Sequence, residues 1–270
     1  MNTPAWEPGD VPLDKPSPAR MYDYFLGGYH NFEIDRRAAE QMVSLMPDIK
    51  LITRANRAFL RRVVTFLANQ GVDQFLDIGS GIPTVGSVHE SVHRINPAAR
   101  IVYVDIDPIA VAHSEAILKD VPNTAVIQAD ARRPAQILEH PEVRRLLDFG
   151  RPVAVLLVAL LQFVPNDEDA SGMVRAFRDA LSSGSYIAIA HGTDEGVPRD
   201  IVEQGIKIYA RSTNPVTGRS RAQIAQFFEG LELIEPGLVF VPLWRPEDPN
   251  DIFLDQPERS INISGVGRKP

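Results

Sequence analysis

Three short apolar segments of the sequence each end in residues that suit nucleoside binding. The first, Phe75–Gly81 (FLDIGSG), indicates a buried strand that ends in a glycine-rich turn and opens into a helix. Glycines in such a turn let backbone N–H groups approach a ligand, and a helix N-terminus favours negative charge. The second segment ends at Asp105 and the third at Asp130. Parallel strands bring their carboxyl ends to one edge of a sheet, so one ligand can touch all three.

A nucleoside fits this pattern, with its ribose diol on Asp105, its adenine amino group near Asp130 and its charged tail at the glycine loop. Each residue also has a purely structural interpretation. The loop can be a tight strand-to-helix turn, and Asp130 can cap a turn with Ala131 and Arg132. Asp107 reads better as a helix N-cap than as a ligand, because Pro108 follows it at the first helical position.

The glycine loop departs from the dinucleotide fingerprint of nicotinamide dehydrogenases. That fingerprint requires a third glycine three residues after the second, where this chain has Thr84 preceded by Pro83. S-adenosylmethionine has no pyrophosphate and does not need this third close approach. The loop therefore favours a nucleoside of that kind over a dinucleotide.

A second motif points to different chemistry. His89-Glu90-Ser91-Val92-His93 matches the H-E-x-x-H signature of zinc proteases, which places two imidazoles on one helix face with a possible base between them. We expect the motif one to two turns into the helix after the glycine loop, with its histidines facing solvent or the sheet. No third ligand is evident, although Glu115 is available, and we predict no metal site.

The elements that must position these residues alternate between strands and helices after Gly71. This alternation predicts a mostly parallel sheet covered by helices on both faces. Helix starts are expected at Asp107-Pro108, at Asn166 and at the capping box of Ser220 with Gln223. The predicted strands are Gln74–Ile78, Ile101–Val104, Ala125–Ala129, Val153–Leu157, Tyr186–Ala190, Leu238–Val241 and Ile261–Val266.

Before this core, the sequence predicts two other regions. Residues 1–18 are rich in proline and predict an extended arm on the surface. Residues 19–70 predict a helical extension or lid, since Ala55, Phe59, Val63 and Phe66 recur at helical spacing and Gly71 is a plausible stop. Residues 71–270 form the predicted nucleoside-binding core.

Composition limits the class of protein. The 270 residues include 28 Lys+Arg and 35 Asp+Glu, a net charge of −7 that disfavours nucleic-acid partners. The absence of cysteine removes disulfides, thiolate metal sites and cysteine nucleophiles and fits a reducing cytoplasm. The longest apolar run, Val153–Leu161, is about half of a bilayer span. The N-terminus does not resemble a secretory signal. We expect a cytoplasmic protein without a membrane segment.

Taken together, these segments resemble the class I S-adenosylmethionine-dependent methyltransferases. The chain is more specifically similar to the actinobacterial S-adenosyl methyltransferase family, also called the domain of unknown function 574 family, over residues 18–270. The distinctive segments are Ala19–Gly28 (ARMYDYFLGG), Asn31-Phe32, Asp35-Arg36, Asn56–Arg62 (NRAFLRR) and Phe227–Leu233 (FFEGLEL). The segments Val102–Pro108 (VYVDIDP) and Leu156–Pro165 (LLVALLQFVP) carry the wider resemblance.

The resemblance implies a Rossmann-like, seven-stranded sheet with the last strand antiparallel, S-adenosyl-L-methionine as cofactor and S-adenosyl-L-homocysteine as product. It also implies a set of cofactor-binding residues: Asp77, Gly79, Ser80 and Gly81 at the methionine end, Asp105 at the ribose, Asp130 and Ala131 at the adenine, and Ile106, Val158, Ala159 and Leu160 elsewhere along the cofactor. Relatives often carry histidine where this chain has Gln162, so no histidine role is expected there.

The N-terminal motif suggests a cover over the cofactor. Gly27-Gly28 permits a sharp turn that would bring Tyr22 and Asn31 over the site, and Arg57 is placed to meet the cofactor carboxylate bidentately. The alternative is a helix pair whose aromatic residues serve only as core. Tyr22, His30 and His191 are candidate bases, but none is assigned, because methyl transfer depends mainly on positioning and exclusion of water.

Three functions remain open at this point. The first is a methyltransferase acting on a small-molecule acceptor, with no oligomeric state assigned. The second is a non-catalytic module that binds the cofactor, suggested by the lack of an obvious base. The third is a zinc metalloprotease through His89 and His93.

Overall fold

The centre of the protein is one eight-stranded sheet. The computed structural model describes residues 14–84 and 86–270. Five strands run parallel in the order β3-β2-β1-β4-β5, and β8 joins β5 antiparallel. Both β6 and β7 pair antiparallel with β8. The strands are β1 (Gln74–Ile78), β2 (Arg100–Asp105), β3 (Thr124–Gln128), β4 (Ala154–Val158), β5 (Tyr186–Gly192), β6 (Glu232–Leu233), β7 (Val239–Phe240) and β8 (Asn262–Arg268).

This sheet confirms the predicted fold class. All seven predicted strands occur, with boundaries that move by no more than two residues. The eighth strand, Glu232–Leu233, was not predicted, because it is a two-residue, exposed edge strand with no buried side chain to give it a periodic signal.

Helices cover both faces of the sheet. None of the helices in the described residues is long and apolar enough to cross a membrane. They are α1 (Pro18–Leu26), α2 (Glu33–Leu45), α3 (Ile49–Asn69), α4 (Val88–His93), α5 (Pro108–Leu118), α6 (Pro134–Leu138), α7 (Pro141–Leu146), α8 (Asp167–Ala180), α9 (Arg199–Tyr209) and α10 (Arg221–Gln226).

Alternation along the strands divides the core into two layers. Side chains of successive strand residues point to opposite faces, so Leu76 packs with Phe177 of α8 on one face. Phe75 packs with Phe59 and Leu67 of α3 on the other face. A third, smaller cluster joins α1 to α2 through Met21 and Phe25. The helix α3, predicted as part of an N-terminal extension, therefore also supplies one side of the main core.

The predicted helix starts are confirmed by their hydrogen bonds. The Asp107 side chain accepts from the backbone N–H of Ile109, and Pro108 is the first residue of α5. Asn166 caps α8, and Ser220 with Gln223 forms a capping box at α10. These side chains satisfy amide groups that the first helical turn leaves without partners.

One local expectation was wrong. The helix after the glycine loop does not follow it directly: α4 begins only at Val88, because Pro83 and the positive-φ residue Gly86 do not suit a helix. The N-terminal arm lies outside the described residues up to residue 13. In its described end, Asp14 and Lys15 are exposed, whereas Pro16 and Ser17 are buried: the Ser17 amide donates to Asp35 (2.8 Å) and the Pro16 carbonyl accepts from the Thr213 amide (2.9 Å).

The turn between α1 and α2 is as sharp as predicted. Gly27 has φ 85° and closes α1, and a Cβ on Gly28 would lie 2.0 Å from an oxygen of Asp23. The Asp23 carboxylate holds the turn by accepting from the amide of His30 and from the Asn31 side chain, both at 2.8 Å. The glycines are therefore required by the turn itself.

Candidate active site

One cavity lies at the carboxyl ends of the parallel strands. It has a volume of about 300 Å³. The glycine loop and the ends of β2, β3 and β4 form one side, and α1, α2, α3 and α9 form the other. This position is the one at which open α/β sheets bind ligands.

The glycine loop is folded tightly against the end of β2. Gly79 and Gly81 have φ 69° and 60°, and the amides of Gly79 and Ser80 both donate to the carbonyl of Val104 (2.8 and 3.1 Å). These two N–H groups therefore serve the loop, which corrects the expectation that they approach a ligand. A Cβ at Gly79 would lie 2.5 Å from Leu160, so glycine is needed for the close approach of loop and β4.

Asp105 holds the loop in place and lies at the cavity. One carboxylate oxygen accepts from the Gly81 amide (2.7 Å) and the other from the Asp107 amide (2.9 Å). Burial raises the pKa of this carboxyl to about 6, although both hydrogen bonds act in the opposite direction. Each oxygen keeps a further lone pair that can accept from a ribose hydroxyl.

Asp77, at the end of β1, is the most strongly perturbed carboxyl of the cavity. Burial raises its pKa to about 7; Arg57 lowers it and the neighbouring Asp105 raises it further. Its side chain makes no hydrogen bond to any residue that the structure describes. A buried carboxylate without a partner is unfavourable, so this position suits a positively charged ligand group.

Arg57 comes to the same cavity from α3. Its Nε is buried and has no hydrogen-bond partner within the described part of the chain. Its guanidinium carbon lies 5.6 Å from the ring centre of Tyr22, a cation–π distance. Asn56, next to it, has a buried Oδ1 that also lacks a partner. The cavity thus combines an unused donor, an unused acceptor and a carboxyl at the end of β1.

Asp130 caps a turn, which is the structural alternative that the sequence left open for this residue. Its carboxylate pairs with the Arg132 guanidinium at 2.7 Å and accepts from the Arg132 amide, and these bonds lower its pKa. Asp130, Ala131 and the half-exposed Ile106 nevertheless all line the cavity. The turn that Asp130 caps therefore forms part of the cavity wall.

The segment after β4 lines the cavity with Val158, Ala159 and Leu160. Ala159 has φ 58°, an unusual value for a residue with a side chain, and its amide donates to the carbonyl of Ala190 (2.9 Å). Backbone strain of this kind is retained where the surrounding structure fixes it. Gln162, shortly after, also lines the cavity, and its Oε1 is buried without a partner among the described residues.

Two predicted cofactor-binding residues do not reach the cavity. Gly28 packs on Asp23, and the Asn31 side chain donates to Asp23 and to the Gly28 carbonyl. Both residues build the turn between α1 and α2, so the structure corrects their expected placement. Tyr22 does line the cavity, where its hydroxyl donates to the Thr53 carbonyl (3.3 Å) and accepts from Asn56 (3.0 Å).

The two histidines considered as bases also lie away from the cavity lining. His191 is fully buried, with one ring nitrogen against the Gly192 carbonyl (2.6 Å) and the other against Arg219 (2.8 Å). Burial lowers its pKa to about 4, so it is neutral and its tautomer is fixed. His30 stacks on Tyr29 and contacts His113.

The side chains of the H-E-x-x-H motif have other partners. Glu90 closes the start of α4 by accepting from the amides of Gly86 (2.8 Å) and Ser87 (3.3 Å). His89 hydrogen-bonds the Tyr103 hydroxyl (2.8 Å), and His93 lies against the Ala99 carbonyl (3.0 Å). In residues 14–84 and 86–270, no three potential ligands cluster to hold a metal ion. The motif begins at the second residue of α4, nearer the helix start than predicted, and its Glu90 caps the helix.

Sequence reasoning missed one whole wall of the cavity. Helix α9 contributes Ile201, Val202, Gly205, Ile206 and Tyr209 to the lining. Their spacing of three and four residues is an available signal for an amphipathic helix, but nothing in the sequence shows what its apolar face covers.

Fold and cavity together define a class I methyltransferase-type protein, in which a carboxylate after the second strand and a glycine loop after the first face one pocket. The comparisons with known proteins agree. The chain belongs to the S-adenosyl methyltransferase family, whose sequence profile matches residues 4–270. It is therefore an enzyme that uses S-adenosyl-L-methionine as cofactor, as the resemblance implied.

Two solved structures are similar over nearly the full length. A candidate methyltransferase from Thermobifida fusca YX is 42% identical, with 98% of this chain and 99% of that chain covered and a TM-score of 0.90. A protein of the domain of unknown function 574 family from Streptomyces avermitilis MA-4680 is 40% identical, with 95% and 98% covered and a TM-score of 0.90.

A more distant structure shares only the fold. The N-methyltransferase NodS from Bradyrhizobium japonicum WM9, solved with S-adenosyl-L-homocysteine, is 11% identical, with 93% of this chain and 99% of that chain covered and a TM-score of 0.52. Among curated proteins, none matches this chain.

Proposed function

We propose that the enzyme transfers a methyl group to a small-molecule acceptor bound beside the cofactor in this cavity. The observation that carries the proposal is the convergence of groups that are distant in the sequence. Arg57, Asp77, Asp105, Ile106 and the segment 158–160 all line one cavity. When bound, S-adenosyl-L-methionine would supply a methyl group on a positively charged sulfur. The acceptor's lone pair would form a bond to the methyl carbon as the carbon–sulfur bond breaks, the sulfur would leave as the thioether of S-adenosyl-L-homocysteine, and any acceptor proton would pass to solvent.

The chain's own groups complement an amino acid tail. Arg57 offers an unused N–H to the carboxylate, and Asn56 and Asp77 offer oxygen atoms to the ammonium. Asp105 would accept from the ribose, and the Asp130-Ala131 turn with Ile106 would lie against the adenine. Gly79, Ser80 and Gly81 act by shape, because their small size and φ values let the loop approach Leu160 and the ligand.

The catalytic contribution proposed for the protein is positioning and exclusion of water rather than base catalysis. Among the described residues that line the cavity there is no histidine. Helices α1, α2 and α9 cover the side away from the sheet. Holding two reactants in line can supply a large part of the rate enhancement. Tyr22 is retained as a cavity residue, with its hydroxyl engaged by Thr53 and Asn56.

Calorimetry with S-adenosyl-L-homocysteine tests the cofactor pose. Replacing Arg57 by Met removes a charged donor to the tail carboxylate, so the Kd should rise at least about tenfold. Arg61→Met is the matched control, since Arg61 lies on the same helix but pairs with Glu247 at 2.7 Å outside the cavity. Unchanged affinity in Arg57→Met, or an equal loss in both variants, would show that Arg57 does not bind the cofactor carboxylate.

The non-catalytic alternative is supported by one observation, that no histidine stands among the described residues of the cavity lining. It predicts cofactor binding without turnover. Incubation with methyl-labelled S-adenosyl-L-methionine and a small-molecule extract distinguishes the two. Labelled product that depends on the enzyme and is lost in Arg57→Met supports methyl transfer, whereas tight binding with no labelled product across extracts supports the binding module.

A further inference from the structure

The part of the cavity that helices line has a different character from the part at the strand ends. We call it the apolar chamber and define it by Phe25, Met42, Ile49, Ile201, Ile206 and Tyr209, which come from α1, α2, α3 and α9. It belongs to the same cavity as Asp77 and Asp105, so a molecule in the chamber is in reach of a cofactor at the sheet edge.

Charge is divided unequally between the two parts. Helices α1, α2 and α9 contribute no charged side chain to the described lining, and α3 contributes only Arg57. The remaining charged residues of the lining lie at strand ends or shortly after them: Asp77, Asp105, Asp107, Asp130, Arg132 and Asp194. Because a charge buried without a partner is costly, the chamber suits an uncharged occupant.

A core covers only part of the apolar side of helix α9, because Ile208 and Tyr209 pack against the small cluster between α1 and α2. Among helices of eight residues or more in the described ranges, it alone has no buried residue. It rests on α2, where a Cβ on Gly205 would lie 3.8 Å from Met42 and 4.0 Å from Leu45. Ile206 remains 39% exposed although it lines the cavity. A bound apolar molecule would remove this surface from water, which stabilises the complex.

The walls also indicate the shape of the occupant. The Tyr209 ring lies 5.8 Å from that of Phe163, and Tyr22 and Phe25 also line the cavity. Aromatic walls favour ring systems through stacked and edge-to-face contacts. Met42, on the α2 side, has a flexible thioether side chain that adapts to different ring outlines.

We propose that the methyl acceptor is an uncharged molecule with an apolar, ring-containing body, which the chamber holds while its nucleophilic atom faces the cofactor. This inference rests on the proposed function for the position of the cofactor and for the presence of a methyl acceptor in the cavity. Helix α9 then determines specificity, because it supplies the wall that the acceptor body covers.

Fluorescence titration with N-phenyl-1-naphthylamine, an uncharged probe that joins a naphthyl and a phenyl group, tests the chamber. The titration is done with and without saturating S-adenosyl-L-homocysteine. We expect binding in both conditions, and Ile206→Glu should weaken it at least about tenfold by placing a charge in the wall. Ile117→Glu is the matched control, since Ile117 lies on α5, outside the cavity lining, and is 37% exposed.

A second probe isolates the effect of charge. 8-Anilinonaphthalene-1-sulfonate has the same ring framework with an added sulfonate, and we expect it to bind at least about tenfold more weakly. The proposal is overturned if the uncharged probe does not bind, if both probes bind equally, or if Ile206→Glu and Ile117→Glu behave alike. Displacement of the probe by S-adenosyl-L-homocysteine would also overturn it, because the probe would then occupy the nucleoside end.

Failure of the proposed function gives a different result. In that case no labelled product forms from methyl-labelled S-adenosyl-L-methionine, while the probe titration still reports on the chamber. A variant with unchanged S-adenosyl-L-homocysteine affinity and lost probe binding places the Ile206 effect in the acceptor part of the cavity.

Discussion

Asp77 should couple cofactor binding to pH near neutrality. Burial raises the pKa of this carboxyl to about 7, so the cofactor-free protein holds a proton there at pH 6. An ammonium group beside Asp77 favours its ionised form, and binding should release that proton. Affinity for S-adenosyl-L-homocysteine should therefore increase as the pH rises through about 7.

The size of the effect follows from the ionised fraction. With a pKa of about 7, Asp77 is about one tenth ionised at pH 6 and about nine tenths ionised at pH 8. The Kd should fall about tenfold over this range, equivalent to about 1.4 kcal/mol. At pH 6 binding should release close to one proton.

The stability of the cofactor-free protein should change in the opposite direction. The folded state keeps a proton on Asp77 that the unfolded state, with a pKa near 3.8, has released. This stabilisation is fully present below pH 3.8 and is lost as the pH rises through about 7. Between pH 6 and pH 8 the free energy of unfolding should fall by about 1.4 kcal/mol from this group.

Calorimetry in buffers of different ionisation enthalpy measures the proton release, and urea unfolding measures the stability. Asp77→Asn should flatten both pH dependences and weaken binding at pH 8. Asp179→Asn is the control, since Asp179 is exposed on α8 and pairs with Arg178. Proton release near zero at pH 6, or an unchanged slope in Asp77→Asn, would refute the role of Asp77.

Two further substitutions test the loop and the helix cap. Gly79→Ala places a Cβ 2.5 Å from Leu160 at a backbone φ of 69°, so the free energy of unfolding in urea should fall by about 1–3 kcal/mol. The control is Gly172→Ala in α8, where the added Cβ has no atom within 4 Å and should not destabilise the protein. Equal stability of the two variants would contradict the close-approach argument. Glu90→Ala leaves two amides without a partner and should cost about 1 kcal/mol of stability without changing cofactor affinity, with Glu115→Ala on α5 as control. A large loss of affinity in Glu90→Ala would show that the motif does more than cap α4.

Local patterns in the sequence were enough for most of the fold. Buried strands such as the one at Ile101–Val104 have continuous apolar runs. N-caps such as Asp107 and Asn166 have short-range signals, because their hydrogen bonds join residues two or three positions apart. The edge strand at Glu232–Leu233 has neither kind of signal. Its position depends on pairing with β8, far along the chain.

For the site, the sequence identified residue types better than their partners. The strand-end residues Asp77, Asp105 and Asp130 line one cavity, as strand topology requires. Asn31 has a suitable side chain, but a nearby carboxylate, Asp23, takes its amide group. The amide of Gly79 was expected to approach a ligand, but it donates to the carbonyl of Val104 and closes the loop.

By itself, the sequence determined the class of fold, the family and the strand ends at which a nucleoside is expected, because these follow from periodicity and from motifs in contiguous residues. Only the tertiary structure decided which polar atoms are already paired, that Asp77 and Asp105 share a buried edge and carry raised pKa values, and that α9 closes an apolar chamber. Those properties arise from contacts and desolvation between segments far apart in the chain, and no local pattern records them.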